Sequence, residues 1–479
     1  MTDDAPLTER QKWFALALLA TTQFVIVLDA AIVNVALPTV QKSLVISQDN
    51  LSWVVNAYVL TFGGFLLLGG RLADLLGRRR LFVAGLFIFS VASLLGGMSS
   101  NEGQLIAARA LQGFGGALLA PAALSMVTNM FAEGAERNKA LGIWGAVSGS
   151  GGAAGVLLGG LLTEYLGWEW VFWVNVPIGI AAALLAPRML RESRKESGTR
   201  TFDVAGAVTV TGGLALLVFT LVDANRAGWD STQTIGLLIV AIALISAFVV
   251  IEQRSAAPLV PFGIFRSRTL TGSNITALLV GAALFSMFYF ISLYMQQVLH
   301  YSAIKAGLSY LPLAIFIVIS AGIASQLVTK VGFKPILVTG MVLISVALVW
   351  FAQVDVGGSY LSDLLGPMIV SAIGLGFAFV PVTIGAVSGV SEDDSGLASG
   401  LINTAQQVGG ALGLSVLVAV STSVTTNQRD LADLTDGFQA AFLTGAGIAV
   451  LGIVAALTLI RTADSQALVG ADPAALPMA

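Results

Sequence analysis

The sequence predicts an all-α integral membrane protein with fourteen transmembrane helices, grouped as six, two and six, and with both termini in the cytoplasm. Three observations carry this: a composition too apolar for water, apolar runs of spanning length, and a one-sided distribution of Lys and Arg. Apolar residues make up 56% of the 479 and charged residues 11%, against roughly 45–50% and 25% in soluble proteins. With a mean hydropathy of +0.88, little of the chain can face water beyond short loops. The net charge of −3 gives no basic field for nucleic acid. With no Cys and a single His, a disulfide framework, a metal site and a Cys nucleophile are all unexpected, and no enzymatic chemistry is legible.

About 20 apolar residues cross the hydrocarbon core as a helix. Such runs fall near 13–37, 51–70, 81–99, 104–126, 139–162, 169–190, 203–222, 232–252, 268–296, 304–328, 335–353, 362–384, 398–422 and 437–460. Together they leave about eleven residues for each loop or tail, which is too few for a soluble domain. The first run is longer than a signal-peptide core and has no small-residue cleavage site, so it reads as a retained helix. With the N-terminus inside, 19 of the 24 Lys and Arg are cytoplasmic, and only Lys42, Arg226, Lys305 and Arg429 lie outside. The last one, Arg109, is within a span.

The divisions expected are a cytoplasmic tail (1–12), a six-helix half (13–190), a charged loop with two inserted helices (191–255), a second six-helix half (256–460) and a cytoplasmic tail (461–479). An offset of 255 aligns Leu72 with Leu327, Gly77 with Gly332 and Arg79 with Lys334, in the loops GRLADLLGRRR (70–80) and SQLVTKVGFKP (325–335). Internal repeats of this kind place a substrate path between the halves. Span 5 carries Gly145, Gly149, Gly151, Gly155, Gly159 and Gly160, and its four-residue spacing makes a groove for close helix contact. That stripe reads either as packing or as a helix that slides as the halves move.

A charge inside a span costs at least about 2.5–3.5 kcal/mol and marks a functional site by default. Two stand out. Asp29 lies about 24 Å from the inner end of span 1, and Arg109 about 22–25 Å from the inner end of span 4, so the two share a depth. The offset puts Leu284 and Leu364 at the matching places, so the second half has no copy. Burial and a nearby guanidinium pull the proton affinity of a carboxylate in opposite directions, which makes the pair a candidate proton switch; a static ion pair is the alternative. Gly70, Asp74, Gly77, Arg78 and Arg79 in the first loop read as a conformational latch or as ordinary turn and positive-inside chemistry. Candidate pocket residues are Asn34, Trp53, Asn56, Tyr58, Gln112, Trp144, Phe288, Tyr289, Tyr294, Gln297, Asn403 and Gln407. Aromatic and amide groups scattered in apolar helices suit many ligands. The sequence holds no phosphate-binding Gly-rich Lys-Ser/Thr loop, so the expected energy source is a gradient rather than ATP. One proton moving through 100 mV supplies about 2.3 kcal/mol, with about 1.4 more per pH unit.

Five motifs together resemble the major facilitator superfamily, and within it the fourteen-helix drug:proton antiporter family of the EmrB and QacA type. LDAAIVNVALP (from 28), GRLADLLGRRR, LIAARALQGFGGA (105–117), GGAAGVLLGG (151–160) and ASGLINTAQQVGGALG (398–413) are similar to its helix 1, loop, helix 4, helix 5 and helix 13 motifs. The resemblance implies a multidrug efflux transporter of the bacterial cytoplasmic membrane, working as a monomer without a cofactor. Its implied partners are protons, the bilayer and a lipophilic small molecule, neutral or singly charged. It also implies proton coupling at Asp29 and Arg109, a latch at Asp74, and an antiporter helix at Gly151, Gly155, Gly159 and Gly160. Val156 stands where the family has Pro, Leu75 where the loop often has Arg, and Ala31 where helix 1 often has Thr. A proton-coupled uptake symporter or facilitator for a metabolite, or a membrane sensor that does not transport, are the competing expectations.

Overall fold

The computed structural model describes residues 8–131, 135–193, 203–255, 258–260, 262–387, 395–427, 429–466 and 469. Most of both predicted tails, and the charged loop beyond Ser193, lie outside the described residues. Among the described residues there are helices and no strands. The first six long helices are α1 (Glu9–Leu44), α2 (Trp53–Leu76), α3 (Arg78–Gly97), α4 (Glu102–Met130), α5 (Ala135–Tyr165) and α6 (Asn175–Met189). Two follow between the halves, α7 (Val204–Ala227) and α8 (Thr232–Arg254). The second set is α9 (Arg268–Leu293), α10 (Leu311–Val331), α11 (Phe333–Phe351), α12 (Leu365–Val387), α13 (Ser395–Val424) and α14 (Leu431–Leu459).

Twelve helical stretches among the described residues are long and apolar enough to cross a membrane. At the predicted second and fifth spans, the described apolar stretches of α2 and α5 are shorter, Trp53–Leu66 and Ala154–Tyr165. Helix α1 outruns its predicted boundaries: its 36 residues make about 54 Å, well beyond a core of roughly 30 Å. Local chemistry sets the ends. Thr8 and Gln11 form a capping box on α1, and the side chains of Asn101, Ser231, Ser267 and Asp430 cap α4, α8, α9 and α14. Gly77 (φ 107°), Gly228 (φ 92°) and Gly332 (φ 83°) end α2, α7 and α10 in a conformation that disfavours a side chain.

The repeat is visible at two of these glycines. After Gly77, Arg79 donates to Leu190 O at the end of α6 (3.1 Å), and its backbone N–H donates to Glu192 (3.2 Å). After Gly332, Lys334 donates to Leu457 O (2.9 Å) and Ile460 O (2.6 Å) at the end of α14, and its backbone N–H donates to Ser465 Oγ (2.9 Å). In each half a cation thus satisfies the orphan carbonyls at the end of its last helix. The inserted pair touches both halves. Thr211 of α7 donates to Gly64 O of α2 (3.0 Å), and Leu401 of α13 packs with Ala207 and Phe248 of α7 and α8.

Three hydrogen bonds among the described residues join the halves: Asn56 Nδ2 to Ser415 Oγ (3.1 Å), Gln296 Nε2 to Val35 O (3.0 Å) and Gln297 Nε2 to Gln41 Oε1 (2.8 Å). All lie toward the face of the bundle opposite the α1 N-terminus. The π-helical turn Tyr294–Val298 at the end of α9 inserts an extra residue into the helix, which lets two consecutive glutamines reach α1. Beside them, Gly160 of α5 lies against the Ala303 carbonyl, and Gly307 against that of Val156 (2.7 and 2.8 Å from the Cβ position). Small residues let the two backbones meet there.

Candidate functional site

Asp29 and Arg109 are 0% and 1% exposed, and Arg109 Nη1 donates to Asp29 Oδ2 at 2.7 Å. Their equal depth along antiparallel helices becomes direct contact, and other helices complete the site. Gln112, one turn beyond Arg109, donates through Nε2 to Asp29 Oδ1 (2.7 Å) and to Ser93 Oγ of α3 (2.8 Å), while its Oε1 accepts from Arg109 Nη1 (2.5 Å). Asn175, the first residue of α6, donates to Asp29 Oδ1 at 2.7 Å. Arg109 Nε donates to Val54 O of α2 (2.9 Å), and its guanidinium lies 4.3 Å from the Tyr58 ring centre and 5.8 Å from that of Phe172. Helices α4 and α6 thus donate to the α1 carboxylate directly, and α2 and α3 hold the donors.

The chain delivers these groups by local means. Gly113, one residue after Gln112, has its Cβ position against the Thr61 hydroxyl and the Tyr58 carbonyl, so only a residue without a side chain lets α4 close on α2 there. Pro177 has no N–H for the Trp173 carbonyl, and the helical path breaks at Val174 before α6 starts with Asn175. Gly151, Gly155 and Gly159 lie over the carbonyls of Phe24, Leu28 and Ile32, at 3.1, 2.6 and 2.8 Å from their Cβ positions. The glycine stripe thus seats α5 on α1, with its middle contact at the residue before Asp29.

An anionic carboxylate with three donors is well satisfied. A proton on Asp29 would deprive Arg109 of its counter-charge in a site without water contact, so protonation must change the surroundings of Arg109.

The structure distributes the other candidates widely. Tyr58 and Gln112 belong to the ion-pair network, whereas Asn56, Gln297 and Gln407 lie between the halves, Gln407 with its Cβ against Gly63 of α2. Asn34 is buried on α1 and donates to Ala30 O. Trp53 packs against Phe219 of α7 (6.1 Å), Phe288 stacks on Tyr310 (5.4 Å), and Tyr289 meets Phe290 edge-on (5.2 Å). Tyr294 donates to Asp355 O (2.6 Å); Trp144 is buried and Asn403 exposed. In the loop motif, Gly70 sits near Pro121, and the backbone N–H of Arg78 donates to Ser193 O (3.0 Å). The Asp74 side chain lies outside the described residues.

Sequence reasoning missed Ser93, Asn175 and Glu192, which are ordinary polar residues until the fold places them. It also missed the buried carboxylates of Asp203 and Glu252 (7% and 3% exposed). Asp203 caps α7, and Glu252 accepts from the backbone N–H groups of Leu259 and Val260. Both serve the connection from α7 and α8 to α9, away from the ion pair.

Residues 19–414 match the family model described as Major Facilitator Superfamily. The chain is 38% identical to the puromycin resistance protein pur8 of Streptomyces alboniger over 469 residues, covering 95% of this chain and 93% of that protein. It is 41% identical to the cephamycin export protein CmcT of Amycolatopsis lactamdurans over 453 residues, covering 94% and 92%. The crystal structure of the peptide transporter POT in complex with sulfate has a TM-score of 0.70 at 16% identity, covering 95% and 96%, which shows a shared fold.

Proposed function

The chain belongs to the major facilitator superfamily, a family of transporters and not enzymes, and on that premise we propose that it is a proton-driven exporter of lipophilic drugs or antibiotics from the bacterial cell. It is a multi-pass protein of the cell membrane. The two relatives reported above are named for puromycin resistance and cephamycin export, and they match almost end to end. The observation that carries proton coupling is the buried Asp29–Arg109 pair at 2.7 Å, fully enclosed within the first six helices.

The topology we propose has fourteen spans with both termini cytoplasmic. Twelve spanning stretches plus the shorter apolar parts of α2 and α5 support the number, and 19 cytoplasmic against 4 outer basic residues support the orientation. In that frame the three hydrogen bonds between the halves lie on the outer side, so this conformation is closed outward. Export then proceeds by rocking of the halves, with the proton gradient and not ATP as the energy source.

The test uses inside-out vesicles with an imposed inside-acid gradient and ethidium or puromycin as substrate. Accumulation that collapses with an uncoupler and is absent in Asp29→Asn is the expected result. Full accumulation in Asp29→Asn would refute the proton role, and movement of substrate with the proton would reverse the direction.

A further inference from the structure

The Asp29 site contains an asymmetry between its two amides. Gln112 and Asn175 both donate to Asp29 Oδ1 at 2.7 Å. Gln112 Oε1 is already occupied by Arg109 Nη1 at 2.5 Å. Asn175 Oδ1 is buried and accepts nothing, although the residue is 0% exposed. An idle buried carbonyl oxygen is costly, and few are left without a purpose.

Resting on the proton role of Asp29, we propose that Asn175 is the positioning residue that serves both charge states of Asp29 by turning its amide. With Asp29 ionised, Nδ2 donates to the carboxylate, as the structure shows. When Asp29 takes a proton, its new O–H faces two donors, and one amide must turn. Turning Gln112 breaks its bond to Arg109, whereas turning Asn175 breaks nothing at its oxygen. The turned Oδ1 then accepts from the protonated acid, and Ser93 Oγ, 3.5 Å from Nδ2, supplies a second donor to it. Arg109 from α4 and Tyr58 from α2 are the titratable groups facing this site among the described residues, while α3 and α6 contribute Ser93 and Asn175. The proton's arrival is thereby transmitted to the first turn of α6.

The test is the acid-minus-alkaline infrared difference spectrum of the purified full chain in lipid, with carbon-13-labelled asparagine. Wild type should show a carboxylic acid band rising together with a change in a side-chain amide band that moves on labelling. Asp29→Asn should remove both. Asn175→Leu should remove the amide change but keep the carboxyl band, with its pH midpoint displaced by less than about half a unit, because both charge states lose one bond. An amide that only donates would, once removed, move the midpoint to the alkaline side by about one to two units. Such a shift, or an amide change that survives Asn175→Leu, overturns the inference while leaving Asp29 in its role. A carboxyl band that survives Asp29→Asn instead overturns the role of Asp29. If Asn175→Leu does not fold, Asn175→Ser, whose hydroxyl stops short of the carboxylate, takes its place with the same expected results.

Discussion

Replacing Arg109 by Met removes the guanidinium but keeps most of its apolar volume. Three groups then lose a partner: Asp29 Oδ2, Gln112 Oε1 and Val54 O. Leaving one member of a buried pair uncompensated costs about 3–5 kcal/mol. Asp29 can escape that cost by taking a proton, and the price of the escape depends on pH. For an ordinary aspartate, holding a proton costs about 5.5 kcal/mol near pH 8 but only about 1.5 near pH 5. Near pH 8 the uncompensated charge is therefore the cheaper state, and the variant should lose about 4–5 kcal/mol. Near pH 5 protonation is cheaper, and the loss should fall to about 2–3, including the orphaned Val54 and Gln112 oxygens. The sign follows from linkage: removing the cation raises the proton affinity of the folded state, so relative stability returns as pH falls. Equilibrium unfolding in mixed micelles at the two pH values measures this. The double variant Asp29→Asn/Arg109→Met should recover about 2 kcal/mol near pH 8 and little near pH 5. Equal losses at both pH values, with no recovery in the double variant, would refute the claim that Asp29 and Arg109 neutralise each other.

Other outcomes follow from the packing. Gly155→Ala should cost about 1–3 kcal/mol, because its Cβ position is 2.6 Å from the Leu28 carbonyl, while Gly152→Ala, with open space around it, should be neutral or stabilising by about 0.5–1; thermal unfolding of the two variants compares them directly. Lys334→Met should destabilise by about 1 kcal/mol by freeing the α14 end carbonyls, and raised salt should shrink the wild-type advantage. The chain has no Cys, so Gln41→Cys/Gln297→Cys can be bridged with a bifunctional thiol reagent. The bridge should hold this contact between the halves closed and stop vesicle transport, with reductive cleavage of the reagent restoring it; transport that continues through the bridge would show that the contact does not open.

What the sequence discloses depends on how rare a signal is in lipid. Fourteen apolar runs and two charges stand out against such a background, and Asp29 and Arg109 fall at one depth by helix rise alone. Gly77 and Gly332 are legible as equivalents because one offset of 255 aligns them together with Arg79 and Lys334, and in the structure each ends a helix at positive φ. Ser93 and Asn175 carry no such signal. They are uncharged, 82 positions apart in the chain, and brought together only by packing of α3 and α6. Glu192 is hidden likewise: it sits in a charged segment, and only the fold shows its carboxylate over Gly77, where a Cβ would be 2.5 Å from Oε1. Residue type alone does not place an aromatic: Trp53, a pocket candidate by type, packs on Phe219 of the inserted pair.

The glycines of α5 bear on whether the ion pair is a fixed strut or a working part. Gly151, Gly155 and Gly159 match Phe24, Leu28 and Ile32 at the same four-residue step, so α5 meets α1 backbone to backbone on both sides of Asp29. The Val27, Ala31 and Ile32 side chains of α1 close on the same glycines, and in so tight a contact a displacement of α1 at Asp29 bears directly on α5. On its other side α5 meets the second half through Gly160 against Ala303, and Val156 against Gly307. One helix therefore touches both the helix that carries Asp29 and the seam between the halves. Val156, where the family has Pro, keeps the backbone N–H at that position, and α5 is helical from Ala135 to Tyr165. This continuous helix joins the two contacts, so on the proton role proposed for Asp29 it is α5 that would carry a change at Asp29 to the seam between the halves.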